Sequence, residues 1–218
     1  MAAKKEINHT KKIFDLLKKE YPDVKIALDF TNAFELLIAT ILSAQSTDAR
    51  VNIVTKDLFK KYKRPKDFIL VSDEKLEKDI FSTGFYRQKA KSIKNCCIVL
   101  VEKYGGKVPA DFDELTQLPG VGRKTASVVA GNAFGIPAIA VDTHVIRLTN
   151  LLGFVNTKDP EKIESKMKEL LPVEDWIKSS HYLATHGRKI CIARRPRCLE
   201  CILGDLCPSF NPLSGKKK

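Results

Sequence analysis

Lys124 stands at the start of an apolar helical run, directly after the bend Pro119-Gly120-Val121-Gly122-Arg123. Gly120 and Gly122 allow positive φ and a close approach to a partner. A helix that begins inside such a bend points unsatisfied N–H groups outward with partial positive charge, which makes an anion site. Arg123 and Lys124 add full charges, so a phosphodiester is the natural guest, held without regard to base sequence. A plain helix-to-helix turn is the other reading the glycines allow. Asp142 is a second group of interest, in Val141-Asp142-Thr143-His144, where Asp142 or Thr143 can cap the next helix. Taken alone, these residues make Lys124 a phosphate contact and Asp142 a cap.

Cys191, Cys198, Cys201 and Cys207 are separated by six, two and five residues. Four thiolates in one short segment suggest a metal. Zinc usually favours two facing Cys-x-x-Cys pairs, and only one such pair is present; a four-iron cluster tolerates the unequal spacing and is preferred. Arg194, Arg195 and Arg197 lie in the first loop. A metal there pins a basic loop against a phosphate backbone, unless the arginines are only a solvated face.

The elements that must position these groups read as helices. Thr10 to Tyr21 is amphipathic, with Ile13, Leu16 and Leu17 inward, and stops at Pro22. Thr31 or Asn32 caps a helix whose Phe34, Leu36, Leu37, Ile38, Ile41 and Leu42 leave hardly any polar face, so it belongs in the middle of a domain. It ends in Ser43-Ala44-Gln45-Ser46-Thr47-Asp48. Gln45 can reach base edges in a groove or be an ordinary loop residue. Ser72 caps a short helix, and Ser82-Thr83-Gly84-Phe85-Tyr86 turns into a long one from about Arg87 to Tyr104. Phe85 and Tyr86 suit insertion into a base stack, or pack on the core. Asp111 caps the helix before the glycine bend, with Leu115 and Leu118 on its apolar side. Cys96 and Cys97 read as small buried hydrophobes. Further helices fall near 160–171 and 174–186. No strand pattern appears, and the class is all-α.

With 218 residues and 44% hydrophobic content, the chain can bury a core as one large domain or two small ones. The excess of 38 Lys and Arg over 26 Asp and Glu gives +12, which suits a polyanionic partner. No run approaches a membrane span, and the N-terminus leads into no apolar signal core, so a cytoplasmic protein is expected, nucleoid-associated in a prokaryote. Six cysteines in a reducing compartment argue against a disulfide frame.

Leu118 to Ala126, then Val141-Asp142-Thr143-His144, then His186-Gly187-Arg188 and the four-cysteine loop together resemble endonuclease III of the helix-hairpin-helix DNA glycosylases, over nearly the whole chain and in matching order. The resemblance implies two helical domains flanking an active cleft. One is a six-helix barrel carrying the helix-hairpin-helix, residues 25–136. The other is a discontinuous iron-sulfur cluster domain, residues 1–24 and 137–218, holding one [4Fe-4S] cluster. It implies Lys124 and Asp142 as catalytic residues from opposite walls. Wedge and pocket roles fall on Gln45, Phe85 and His144, beside DNA contacts by Gly120, Gly122, Arg123 and the three loop arginines.

A glycosylase breaks the C1′–N bond through an oxocarbenium-like transition state, which calls for a nucleophile and a nearby carboxylate. Lys124 and Asp142 are those types. Lys124 would displace the base and form a Schiff base, and loss of the C2′ proton would cleave the strand by β-elimination. The resemblance thus implies a monomeric, bifunctional glycosylase and abasic-site lyase removing oxidised pyrimidines from double-stranded DNA. Adenine removal is disfavoured, because the related adenine glycosylases differ at the lysine and carry a further C-terminal domain. The alternatives are a non-catalytic iron-sulfur protein that binds DNA or carries electrons, and a mismatch-specific glycosylase of the same fold.

Overall fold

The computed structural model describes residues 2–212; Lys216-Lys217-Lys218, read as a solvated end, lie outside them. The described residues contain helices and turns and no strand. In chain order the helices are α1 (Ala2–Glu20), α2 (Ala33–Leu42), α3 (Asp48–Lys61), α4 (Pro65–Leu70), α5 (Asp73–Ile80) and α6 (Tyr86–Tyr104). They continue with α7 (Phe112–Thr116), α8 (Arg123–Phe134), α9 (Thr143–Leu151), α10 (Pro160–Leu170) and α11 (Trp176–Lys189). The chain forms two compact units, Ile26–Ile136 and Met1–Lys25 with Pro137–Lys218.

In the first unit, α2 is the central element. All its residues but Ala33 and Glu35 are buried, and it packs on α3, α6 and α8. Asn32 starts it by accepting from the Glu35 amide at 3.0 Å, and the Glu35 carboxylate answers by accepting from the Thr31 amide and hydroxyl. Thr47 and Ser72 cap α3 and α5 in the same way. Leu58, Phe68, Leu76, Ile80, Ile93 and Leu100 are buried in the same unit, and the Phe68 ring meets Phe34 of α2 edge-on at 5.6 Å. Cys96 and Cys97 are fully buried with them, and burial pushes the Cys96 thiol up to about 12, so these two are packing residues.

In the second unit, α1 packs on α10 and α11, and α11 on α9. Ile13, Phe14 and Leu17 of α1 meet Val145, Leu148, Ile163, Met167 and Leu183 in one core. The amphipathic pattern starts at Thr10, whereas the helix begins at Ala2. The added turns are largely exposed, and the straight-chain residues Lys4, Lys5 and Glu6 favour a helix without an apolar face to announce it.

Candidate active site and metal centre

In the unit 26–136, the glycine bend joins α7 to α8. Asp111 accepts from the amides of Asp113 and Glu114 at 2.9 and 3.0 Å, and Leu115 and Leu118 anchor the helix in the core. Gly120 takes φ +78, and a Cβ built there would stand 2.8 Å from the Cβ of Ser92 on α6, so both conformation and space demand glycine. Gly122 differs from the expectation of positive φ: it sits at φ −89, ψ 175 as the N-cap of α8. An N-cap takes extended backbone, so only Gly120 needs the left-handed region. Glycine at the cap brings no side-chain oxygen, so Gly122 makes no side-chain cap bond to the first turn of α8. Ala126, Val129 and Ala130 bury the following turns, and Lys124 projects from the exposed first turn. The Arg123 guanidinium lies 5.2 Å from the centre of the Phe112 ring, which braces it across the bend.

Gln45 and Phe85 are exposed, and they are the non-glycine residues at positive φ among the described residues, +53 and +48. Strain of this kind persists where the surroundings hold it, and it collects at ligand-facing segments. Tyr86 does not share the exposure: its ring lies tilted against Phe81, with centroids 4.8 Å apart, and is half-buried.

In the other unit, Asp142 caps α9, its Oδ1 accepting from the Val145 amide at 2.8 Å. The cap commits one carboxylate oxygen and fixes the direction of the other. His144, in the first turn of α9, lies against α11 at Gly187, where a built Cβ would stand 2.8 Å from Nδ1 of His144 and 3.1 Å from the Arg147 guanidinium. Gly187 therefore permits the approach of α9 to α11, a role its place in the sequence did not disclose. Arg147 also donates to the Cys191 carbonyl and reaches its sulfur at 3.4 Å, tying α9 to the cysteine loop. His181 of α11 is electrostatically coupled to Asp142, but burial outweighs that pull and lowers its pKa to about 4, so it is neutral at pH 7.

Cys191, Cys198, Cys201 and Cys207 line a single hollow of about 220 Å³, with Leu151, Ile190 and Phe210 among the apolar walls. Among the described residues, no three His, Cys, Asp or Glu side chains converge closely enough for one metal ion. Four thiols around one hollow fit an iron-sulfur cluster, whose ligands bind several iron atoms and need not converge on one. His186 is fully buried beside it, with Nε2 3.4 Å from the Cys201 sulfur and Nδ1 3.0 Å from the Tyr21 hydroxyl. A thiolate at Cys201 accepts a hydrogen bond from Nε2–H, which leaves Nδ1 to accept from the Tyr21 hydroxyl. In the sequence His186 stands out only as part of His186-Gly187-Arg188. Arg194 and Arg195 are exposed, whereas the Arg197 guanidinium is forked onto the Glu200 carboxylate, with Nε donating to Oε1 at 2.9 Å.

Residues 38–173 match the HhH-GPD superfamily of base excision DNA repair proteins, and residues 191–207 match the iron-sulfur binding domain of endonuclease III. The chain is 50% identical to endonuclease III of Bacillus subtilis (strain 168) over 194 residues, 88% of this chain and 89% of that protein. A solved non-covalent endonuclease III–DNA complex is similar at a TM-score of 0.91 and 48% identity, covering 93% of this chain and 95% of that one. A trapped endonuclease III–DNA covalent intermediate is similar at 0.90 and 48%, covering 93% and 96%. The glycine bend, the capped aspartate and the thiol-lined hollow thus stand within a match that runs nearly end to end, and the chain belongs to the endonuclease III family of helix-hairpin-helix base excision repair proteins.

Proposed function

We propose that this chain is a bifunctional DNA glycosylase and abasic-site lyase, with Lys124 as nucleophile, Asp142 as the carboxylate partner and oxidised pyrimidines as substrates. The observation that carries the reading is the exposed side chain of Lys124 in the first turn of a helix that starts from a glycine cap, an N-terminus suited to a phosphate. The likeness to a protein trapped covalently on DNA supports a covalent step.

Lys124 attacks C1′ as a free amine, and the C1′–N bond breaks with its electron pair leaving on the base, which takes up a proton. Opening of the sugar ring gives a Schiff base between Nζ and C1′. Loss of a proton from C2′ then expels the 3′ phosphate by cleavage of the C3′–O bond. Asp142 stabilises the cationic sugar and shuttles protons to and from the amine. The damaged base must first leave the stack, at a cost of roughly a few kcal/mol that is smallest at damaged pairs. Gln45 and Phe85 fill the gap it leaves, and His144 contacts the extruded nucleotide.

DNA is the partner, and the chain acts as a monomer in the cytoplasm. One [4Fe-4S] cluster is held by Cys191, Cys198, Cys201 and Cys207, where it supplies a rigid core for the loop bearing Arg194 and Arg195. Borohydride treatment during reaction with a duplex carrying an oxidised pyrimidine tests the assignment. A covalent protein–DNA adduct is expected from the unaltered chain and none from Lys124→Gln; an undiminished adduct in that variant removes Lys124 from the mechanism.

A further inference from the structure

Lys89, in the first turns of α6, is 5% exposed, and among the described residues no acidic side chain is bonded to its ammonium. Its Nζ donates to the carbonyl of Leu42 at 2.7 Å and to the carbonyl of Thr83 at 2.8 Å. Both acceptors are special. Leu42 closes α2, so its carbonyl is one of those a helix end leaves without an internal partner. Thr83 closes the turn Phe81–Thr83, ahead of Gly84 at φ +71 and Phe85 at φ +48. Three residues after Leu42 comes Gln45, at φ +53.

One buried cation thus ties together the roots of two loops, each carrying its exposed side chain on strained backbone within three residues of the bonded carbonyl. Burial lowers the Lys89 pKa, so keeping an ammonium there costs free energy, offset by two carbonyl dipoles and the negative end of α2. An apolar residue would fill the same space without that cost. It would leave both carbonyls unsatisfied and the two roots unconnected.

We propose that Lys89 is a positioning residue that sets the separation of Gln45 and Phe85, and through it the opening of the base stack. This rests on the reading above, in which those two side chains enter DNA. Lys89 touches neither substrate nor reacting atoms. The chemistry on a sugar that needs no extrusion should therefore be indifferent to it.

The test compares Lys89→Met, which keeps the apolar stem and removes both bonds, with the unaltered chain on two substrates. One is a duplex with an oxidised pyrimidine next to 2-aminopurine, whose fluorescence rises on unstacking; the other is a single-stranded oligonucleotide with an abasic site, cleaved without any wedge. Lys89→Met is expected to lose most of the fluorescence rise and to release base about 10-fold more slowly, with borohydride trapping on the single strand within twofold of the unaltered chain. Unchanged fluorescence and base release overturn the proposal. So does a parallel loss on both substrates, which assigns Lys89 to folding alone. If Lys89→Met does not fold, Lys89→Gln carries the same expectation, since its side chain is one bond shorter and cannot span both carbonyls; loss of folding in both variants also overturns it. Absence of an adduct from the unaltered chain on the single strand is a failure of the proposed function and is read separately.

Discussion

Gly187 lies so close to His144 that a methyl group on its Cα would stand 2.8 Å from the imidazole Nδ1. Real side chains do not tolerate that distance, so α9 rests directly on the backbone of α11. His144 is placed by the absence of a side chain on its neighbour.

Gly187→Ala should therefore displace His144 and Arg147 together. Overpacking of this kind costs about 1–3 kcal/mol, to be read as a lowered midpoint in thermal unfolding. Base release should slow as well, and an unaltered rate beside a lowered midpoint would separate His144 from the substrate.

At Asp142, capping and chemistry can be separated by the choice of replacement. Asparagine caps about as well as aspartate, so Asp142→Asn should keep stability within about 0.5 kcal/mol, whereas Asp142→Ala loses about 1 kcal/mol. Both remove the carboxylate charge and should slow base release by about 100-fold or more, the scale of one lost electrostatic contact in a transition state. Duplex binding by Asp142→Asn should be largely intact, and its loss would mark Asp142 as structural.

The loop arginines divide by their partners. Arg195 is exposed, so Arg195→Ala should reduce the slope of log affinity against log salt by about 0.9, the loss of one phosphate contact. Arg197 is engaged by Glu200, and Arg197→Ala should leave the slope nearly unchanged while weakening the loop. Equal slopes for the two variants would contradict this division.

Tyr21→Phe removes the donor to His186 without changing shape. Loss of a buried hydrogen bond of this kind costs roughly 0.5–1.5 kcal/mol. Because His186 also orients Cys201, the cluster should be lost faster to a chelator in Tyr21→Phe, as followed by its visible absorption.

Acid should destabilise the chain through His181. Its folded pKa, depressed to about 4 from 6.5, means that the unfolded chain binds a proton between those values and the folded chain does not. Its contribution is thus fully present above pH 6.5 and is lost as pH falls toward 4, by roughly 1–2 kcal/mol between pH 7 and 5. His181→Leu should flatten that limb of the stability curve, and an equally steep limb would place the loss elsewhere.

What could be read from the chain was whatever a few neighbouring residues settle among themselves. Asn32, Thr47, Ser72, Asp111 and Asp142 cap the helices that follow them because the bond spans two or three residues. The glycine bend and the four-cysteine run are equally local, and they carried the family. The Arg197–Glu200 fork is just as local, three residues apart, and turns a formal positive charge into a paired one.

The rest came only with the tertiary structure. Tyr21 meets His186 across 165 positions, and Lys89 meets Leu42 across 47. No local pattern marks a lysine that will be buried against two carbonyls, or a glycine whose missing methyl admits a histidine from another helix. Helix periodicity fixes which face of an element is apolar, but which backbone group will stand opposite a given side chain is decided when the helices pack, since only close packing determines what each buried polar group must bond.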